Sequence, residues 1–203
     1  MTALGDNDLK LMETLGAAGT DHGKYLRMIT VTADITAPLY WWKEYDTYKV
    51  GTVANSCSTM HKIQAKEFVL SDFSTEHLSA TNLIVFSMVI DAMNNARLDF
   101  LQRKDKKDWW QMIQMLPTCY NQKRTVQLNY AVLKNIYHSR QNHKLDEWRE
   151  FCKWVESVHA GKLTGPSSWD GYVACVAGDA LNASRGTSQF MKVETMEKPE
   201  MYK

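Results

Sequence analysis

A chain of 203 residues is the size of one domain, or of one domain with a tail, and can bury a sizeable core without staples. Hydrophobic residues make up 44% and charged residues 23%, an ordinary globular composition, and a net charge of +1 gives no field argument for nucleic acid or an anionic membrane. The four cysteines, Cys57, Cys119, Cys152 and Cys175, form no CxxC pair, so zinc-type spacing is absent and buried reduced thiols are expected.

The first residues, Met-Thr-Ala-Leu-Gly-Asp-Asn-Asp, have no basic or long apolar run and do not read as a signal peptide. Lys, Asp, Asn or His interrupts every stretch of about twenty residues that would span a bilayer. The expectation is a soluble, cytoplasmic protein.

Asp6 or Asn7 can cap a first helix carrying Leu9, Met12 and Leu15, which Gly16 and Gly19 end. Residues 27–36 alternate: Ile29, Val31, Ala33 and Ile35 share one face, and Thr30, Thr32 and Asp34 the other. This predicts a half-buried strand stopped by Pro38. Leu39 to Tyr45 read as a short aromatic helix, and residues 46–61 as a polar loop suited to a binding site. Ser74 or Thr75 can open a long helix that runs to about Leu101 with a broad apolar face. The basic run Arg103–Lys107 reads as a solvated link.

A short helix around Trp109 and Trp110 ends at Leu116-Pro117. Residues 124–129 alternate like a strand, 131–139 look helical, and 143–159 form a helix with Leu145, Trp148, Phe151, Cys152 and Val155 on its apolar face. Beyond Gly165-Pro166 the pattern weakens, and from about Gln189 the chain reads as a charged, poorly packed tail of a single domain. The mixture of strand and helix predicts an α/β-type domain.

No GxSxG, P-loop, GxGxxG or HExxH is present. The six histidines show no ligand spacing, so no metal is expected. The cluster Tyr40-Trp41-Trp42-Lys43-Glu44-Tyr45 reads first as core or oligomer interface and second as a wall for a planar ring. Asn129 and Asn135 carry amides suited to the edge of a uracil or flavin ring, and Arg140 offers a fork for a phosphate. Helix capping and a surface ion pair would account for the same residues.

The run Leu116-Pro117, Thr125-Val126, Asn129, Leu133, Asn135, Arg140 and Glu147-Trp148-Arg149 resembles the flavin-dependent thymidylate synthases (ThyX). Leu145 stands where that family has Gln. Upstream, His22 precedes a strand ending in Ala37-Pro38 at similar spacing to the family's His. The family then has QWxRHRxxSxNExSxRY. This chain reads Glu44-Tyr45-Asp46-Thr47-Tyr48-Lys49, one extra residue further on, then Asn55-Ser56-Cys57-Ser58-Thr59-Met60. Asn55 and Ser58 are kept, and Lys49 keeps the charge of the second Arg. Thr47 and Tyr48 replace the first Arg and the His, Ser56 the Glu, and Met60 the last Arg. The signature is degenerate.

The resemblance implies an α+β fold, an antiparallel sheet flanked by helices, assembled as a homotetramer with flavin sites between subunits. It implies methylation of C5 of dUMP or a related uracil nucleotide, with FAD as cofactor and methylenetetrahydrofolate and NADPH as co-substrates. By the same match His22, Tyr48, Lys49, Asn55, Asn129 and Asn135 are flavin-binding candidates. Arg140, Ser58, Thr59 and Glu44 are substrate-binding candidates. Arg140 and Ser58 are also the catalytic candidates, with Ser58 beside the substrate and not a nucleophile. The other reading is a non-catalytic nucleotide- or protein-binding relative on the same fold. Neither reading includes a nucleic-acid or membrane partner.

Overall fold

Strand β1 runs Thr30–Pro38, and its alternation is the one the sequence predicts: Val31, Ala33, Ile35 and Ala37 are buried, while Thr32, Asp34 and Thr36 are half-buried. It starts later than residue 27 because Gly23–Met28 form a 3-10 turn instead. Tyr25 Oη donates to the Met12 carbonyl, tying that turn to helix α1 (Asp6–Ala17). The computed structural model describes residues 6–56 and 59–157 and the backbone of 192–195. The sequence-predicted tail from about residue 189 lies outside the described residues, apart from that last backbone segment.

Four strands form one antiparallel sheet in the order β2-β3-β1-β4, with β2 at Thr52–Ser56, β3 at Asn121–Asn129 and β4 at Lys192–Thr195. β3 buries Val126 and Leu128, and Thr125 Oγ1 donates to Asp34 Oδ1 on β1. With helices flanking it, the fold is α+β. β2 corrects the expectation of a loop over 46–61. Its residues are almost all exposed, so no apolar alternation marks it. Helix α2 (Leu39–Tyr45) is the predicted aromatic helix, and α3 (Thr59–Lys62) follows β2.

The chain divides into two compact units. One contains residues 56–123 and the short segment 36–43. Its core joins Ile63, Phe68, Phe73, Ile90, Met93, Ala96 and Met112. Helix α4 (Ala80–Arg103) starts later than predicted because Ser79 is its cap, accepting from Asn82 N. Ser74 is engaged elsewhere: its Oγ donates to Asn121 Oδ1 and its backbone N–H to the Cys119 carbonyl. Asn94 pairs with both backbone groups of Phe68 at 2.9 Å, so a half-buried amide fixes an irregular segment to α4. Lys104 ends α4 in the left-handed region (φ 56°), and Asp105 caps α5 (Lys106–Met115). Trp41 and Trp42 are fully buried in this unit, and Trp42 Nε1 donates to the Gln122 carbonyl. Both indoles are core, so neither offers a face to a planar ligand.

The other unit contains residues 1–35, 44–55 and 124 onward. Helices α6 (Tyr130–Arg140) and α7 (Asp146–Ser157) pack together, and α7 turns inward the apolar face that the sequence predicts for it. Leu133 and Ile136 from α6 and Trp148, Phe151 and Val155 from α7 are fully buried. Cys152 is buried among them, and burial together with the nearby Glu156 carboxylate pushes its thiol up to about 12.

Candidate functional site

The candidate site is built where the end of α2, the turn after it and the end of α6 meet. Asn129 closes β3 and caps α6, its Oδ1 accepting from Val132 N at 3.1 Å. That cap sets where α6 starts, and eleven residues later the helix ends at Arg140. The turn from Glu44 to Thr52 is held by its own bonds. Thr47 donates to the Glu44 carbonyl from both backbone and hydroxyl, Tyr48 N donates to the Tyr45 carbonyl, and Thr52 Oγ1 to the Tyr48 carbonyl. Arg124 on β3 pairs with Asp46 at 2.9 Å. Gly51, at φ +80°, brings this turn against the Asn129 amide.

Arg140 is the centre of the cluster. Its Nε donates to Tyr48 Oη at 2.9 Å and its Nη1 to Glu44 Oε2 at 2.8 Å. The guanidinium carbon lies 4.9 Å from the centre of the Trp148 ring and 5.6 Å from that of Tyr48. The same Glu44 oxygen accepts from Trp148 Nε1 at 3.1 Å and faces His143 Nε2 at 3.4 Å. Leu145 N donates to His143 Nδ1 at 3.2 Å, which seats the imidazole beside Glu44. A guanidinium has five N–H donors, and two of Arg140's are engaged among the described residues. Its side chain keeps 21% exposure.

Of the sequence-predicted site residues, the structure therefore gathers Glu44, Tyr48 and Arg140. No hydrogen bond to a described residue joins the side chains of His22, Lys49, Asn55 or Asn135 to that cluster, and all four are exposed. Asn135 and Arg140 share α6 but stand about 140° apart around its axis, from roughly 100° per residue. Asn129 lies behind the turn, capping the helix. Thr59 is in the other unit, where its Oγ1 accepts from Gln122 Nε2 at 2.7 Å. Ser58 lies outside the described residues. Sequence reasoning missed His143 and Trp148 as members of the cluster. Trp148 was legible only as an apolar helix position, although its indole N–H and ring face are both used by the site. Among the described residues no three His, Cys, Asp or Glu side chains gather as a metal site, and no helix is long and apolar enough to cross a membrane.

No family model matches this chain. Its fold is similar to that of the flavin-dependent thymidylate synthase ThyX from Helicobacter pylori, solved with FAD and dUMP. That likeness has a TM-score of 0.55 at 20% identity, over 73% of this chain and 76% of the synthase. A second structure of the Helicobacter pylori ThyX with FAD and dUMP gives a TM-score of 0.56 at 19% identity, over 75% and 77%. The likeness is one of fold: the chain has a ThyX-like architecture. A separate, short match joins it to inositol 2-dehydrogenase of Streptomyces avermitilis, 41% identical over 54 residues. Those residues are 27% of this chain, and they span only 16% of the dehydrogenase.

Proposed function

We propose that this chain binds a uracil nucleotide and a flavin on its ThyX-like fold and transfers a one-carbon group reductively to C5 of dUMP or a related uracil nucleotide. The observation that carries the reading is Arg140, oriented by Tyr48 and Glu44 over Trp148 with donors to spare, on a fold shared with a synthase solved with FAD and dUMP. A planar guanidinium with unused N–H groups suits a phosphate.

FAD is the cofactor of this reading, with NADPH and methylenetetrahydrofolate as co-substrates. The side chains of His22, Lys49, Asn55 and Asn135 have no hydrogen-bond partner among the described residues, so their donors and acceptors are free for such a ligand. Tyr48 would add its ring and hydroxyl, and Asn129 its Nδ2. Bound flavin would supply the hydride for the transferred carbon. The protein's residues would hold the phosphate (Arg140) and polarise the ring through fixed donors, each worth about 2.7–4 kcal/mol of barrier in favourable cases. By the resemblance, the complete site of this reading lies between copies in a homotetramer.

Two measurements test this. The purified protein should retain or take up FAD, seen as flavin absorbance, and calorimetry should show dUMP binding that depends on the phosphate. A protein that takes up no FAD and binds dUMP no better than deoxyuridine is not a synthase of this type. If it binds dUMP but shows no thymidylate formation with all co-substrates present, the non-catalytic binding reading replaces the enzymatic one. The substitutions in the signature, Tyr48 for His and Ser56 for Glu among them, are what favour that second reading.

A further inference from the structure

Glu44 accepts N–H groups from two side chains, Arg140 and Trp148, on a single oxygen, and His143 Nε2 stands 3.4 Å from the same oxygen. A carboxylate so occupied on that oxygen is a fixed post, and what it fixes is Arg140. The Nε–H is spent on Tyr48 and one Nη1 hydrogen on Glu44, while Trp148 lies beneath the guanidinium. That leaves the other Nη1 hydrogen and both Nη2 hydrogens. These three N–H groups have no partner among the described residues, and the pairing with Glu44 offsets the local positive charge.

We propose that Glu44 is a positioning residue for Arg140, holding the guanidinium over Trp148 so that its remaining N–H groups grip a phosphoryl group that Glu44 itself does not touch. The phosphoryl half of this inference rests on the nucleotide reading above; the pinning of Arg140 does not. A carboxylate beside a bound phosphate would repel it, so Glu44 acts through the arginine and not by contact. Tyr48 cannot replace it, because a single bond at Nε leaves the plane free to swing about that bond.

The test uses the full chain and two readouts. In ¹H–¹⁵N NMR, with the Arg140 signal identified by its loss in Arg140→Lys, a pinned Nε–H gives a resolved, slowly exchanging resonance. Glu44→Ala should abolish it, and Glu44→Gln, which keeps an acceptor oxygen, should preserve it. In calorimetry, the preference for dUMP over deoxyuridine should fall about tenfold in Glu44→Ala and stay within about threefold of wild type in Glu44→Gln. Should Glu44→Ala fail to fold, Glu44→Asp, which withdraws the carboxylate by one methylene, should lose the same resonance. An Arg140 resonance unchanged in both Glu44→Ala and Glu44→Asp overturns the proposal. A wild type with a Glu44-dependent resonance but no dUMP preference supports the pin and counts against the nucleotide reading, so the two failures are distinct.

Discussion

A methyl group placed on Gly51 would stand 2.8 Å from Nδ2 of Asn129. The same methyl would lie 3.1 Å from Cγ2 of Val132, and Gly51 sits at φ +80°, where an L side chain is strained whatever the space. Gly51→Ala should therefore destabilise the fold by about 1–3 kcal/mol. It should also disturb Tyr48 and Lys49, which share its turn. Urea unfolding measures the first effect. An unchanged midpoint would mean that the turn does not pack on the helix cap.

Asn129 has a structural duty that can be separated from a ligand duty. Its Oδ1 caps α6. Asn129→Ala should cost about 1 kcal/mol, whereas Asn129→Ser keeps a capping oxygen and should cost little. If the amide nitrogen also meets the flavin, Asn129→Ser will weaken FAD binding at nearly native stability. Parallel FAD titrations and melting curves of the two variants decide this. Equal FAD affinity in Asn129→Ser and wild type would leave the residue a helix cap alone.

Where the sequence was readable, and where it was not, follows from how far apart the partners lie. β1 and α7 announce themselves through local period, and both fold with the predicted faces inward. β2 does not, because an exposed edge strand of Thr, Val, Ala, Asn and Ser has no apolar face to alternate. The start of α4 was misplaced because Ser74, Thr75 and Ser79 are chemically equivalent caps; only the tertiary bonds of Ser74 exclude it. The pair at the heart of the site joins residues 96 apart. Arg140 was visible through its spacing from Asn129 and Asn135. That Glu44 would face it, with Trp148 beneath the guanidinium and His143 beside them, is a property of how α2 and α7 pack, which no local pattern encodes.

The α6–α7 interface should be alkali-sensitive. Burial first, then the hydrogen bond to Glu156 and its charge, pushes the Tyr137 hydroxyl up to about 12, and the Cys152 thiol beside it is likewise raised to about 12. Both ordinary values are lower, 10.0 and 9.0. Below pH about 9 both states hold these protons, and the full stability is present. Between about 9 and 12 the unfolded chain releases them and the folded chain does not, so stability falls with rising pH. Urea midpoints should decline across that window, and the decline should shrink in Tyr137→Phe. At neutral pH, Cys152 in the native protein should resist thiol reagents that label it in urea.

The cation in the degenerate segment gives a prediction of the opposite kind. Lys49 is exposed and has no ion-pair partner among the described residues. Lys49→Ala should leave stability unchanged while weakening FAD or nucleotide binding about fivefold to tenfold, as the loss of one charge-assisted bond does. The effect should also fade with added salt, since the site of an exposed lysine is screened. Ligand affinity that is the same in mutant and wild type at low salt would make Lys49 a solvated surface residue.

Arg140→Lys is the substitution that bears most directly on substrate. Lysine keeps the charge but presents a point donor, so it can serve Glu44 or a phosphate but cannot offer Tyr48, Glu44 and a phosphate separate edges at once. Its ammonium also loses the planar contact with Trp148. Binding of dUMP should weaken by about 1.5–3 kcal/mol, the range for hydrogen bonds to charged groups. Deoxyuridine, which has no phosphate to grip, should bind wild type and mutant about equally, and FAD uptake should persist. The competing account is that Arg140 matters only as a cation at the C-terminal end of α6 paired with Glu44. In that case lysine would do nearly as well, because a charge near the helix end contributes about 0.3–1 kcal/mol whichever cation carries it. Calorimetry with the two nucleotides, beside melting curves of both proteins, separates the accounts. Equal dUMP affinity in the two proteins, with little change in melting temperature, would assign Arg140 to the fold and remove the phosphate from the site.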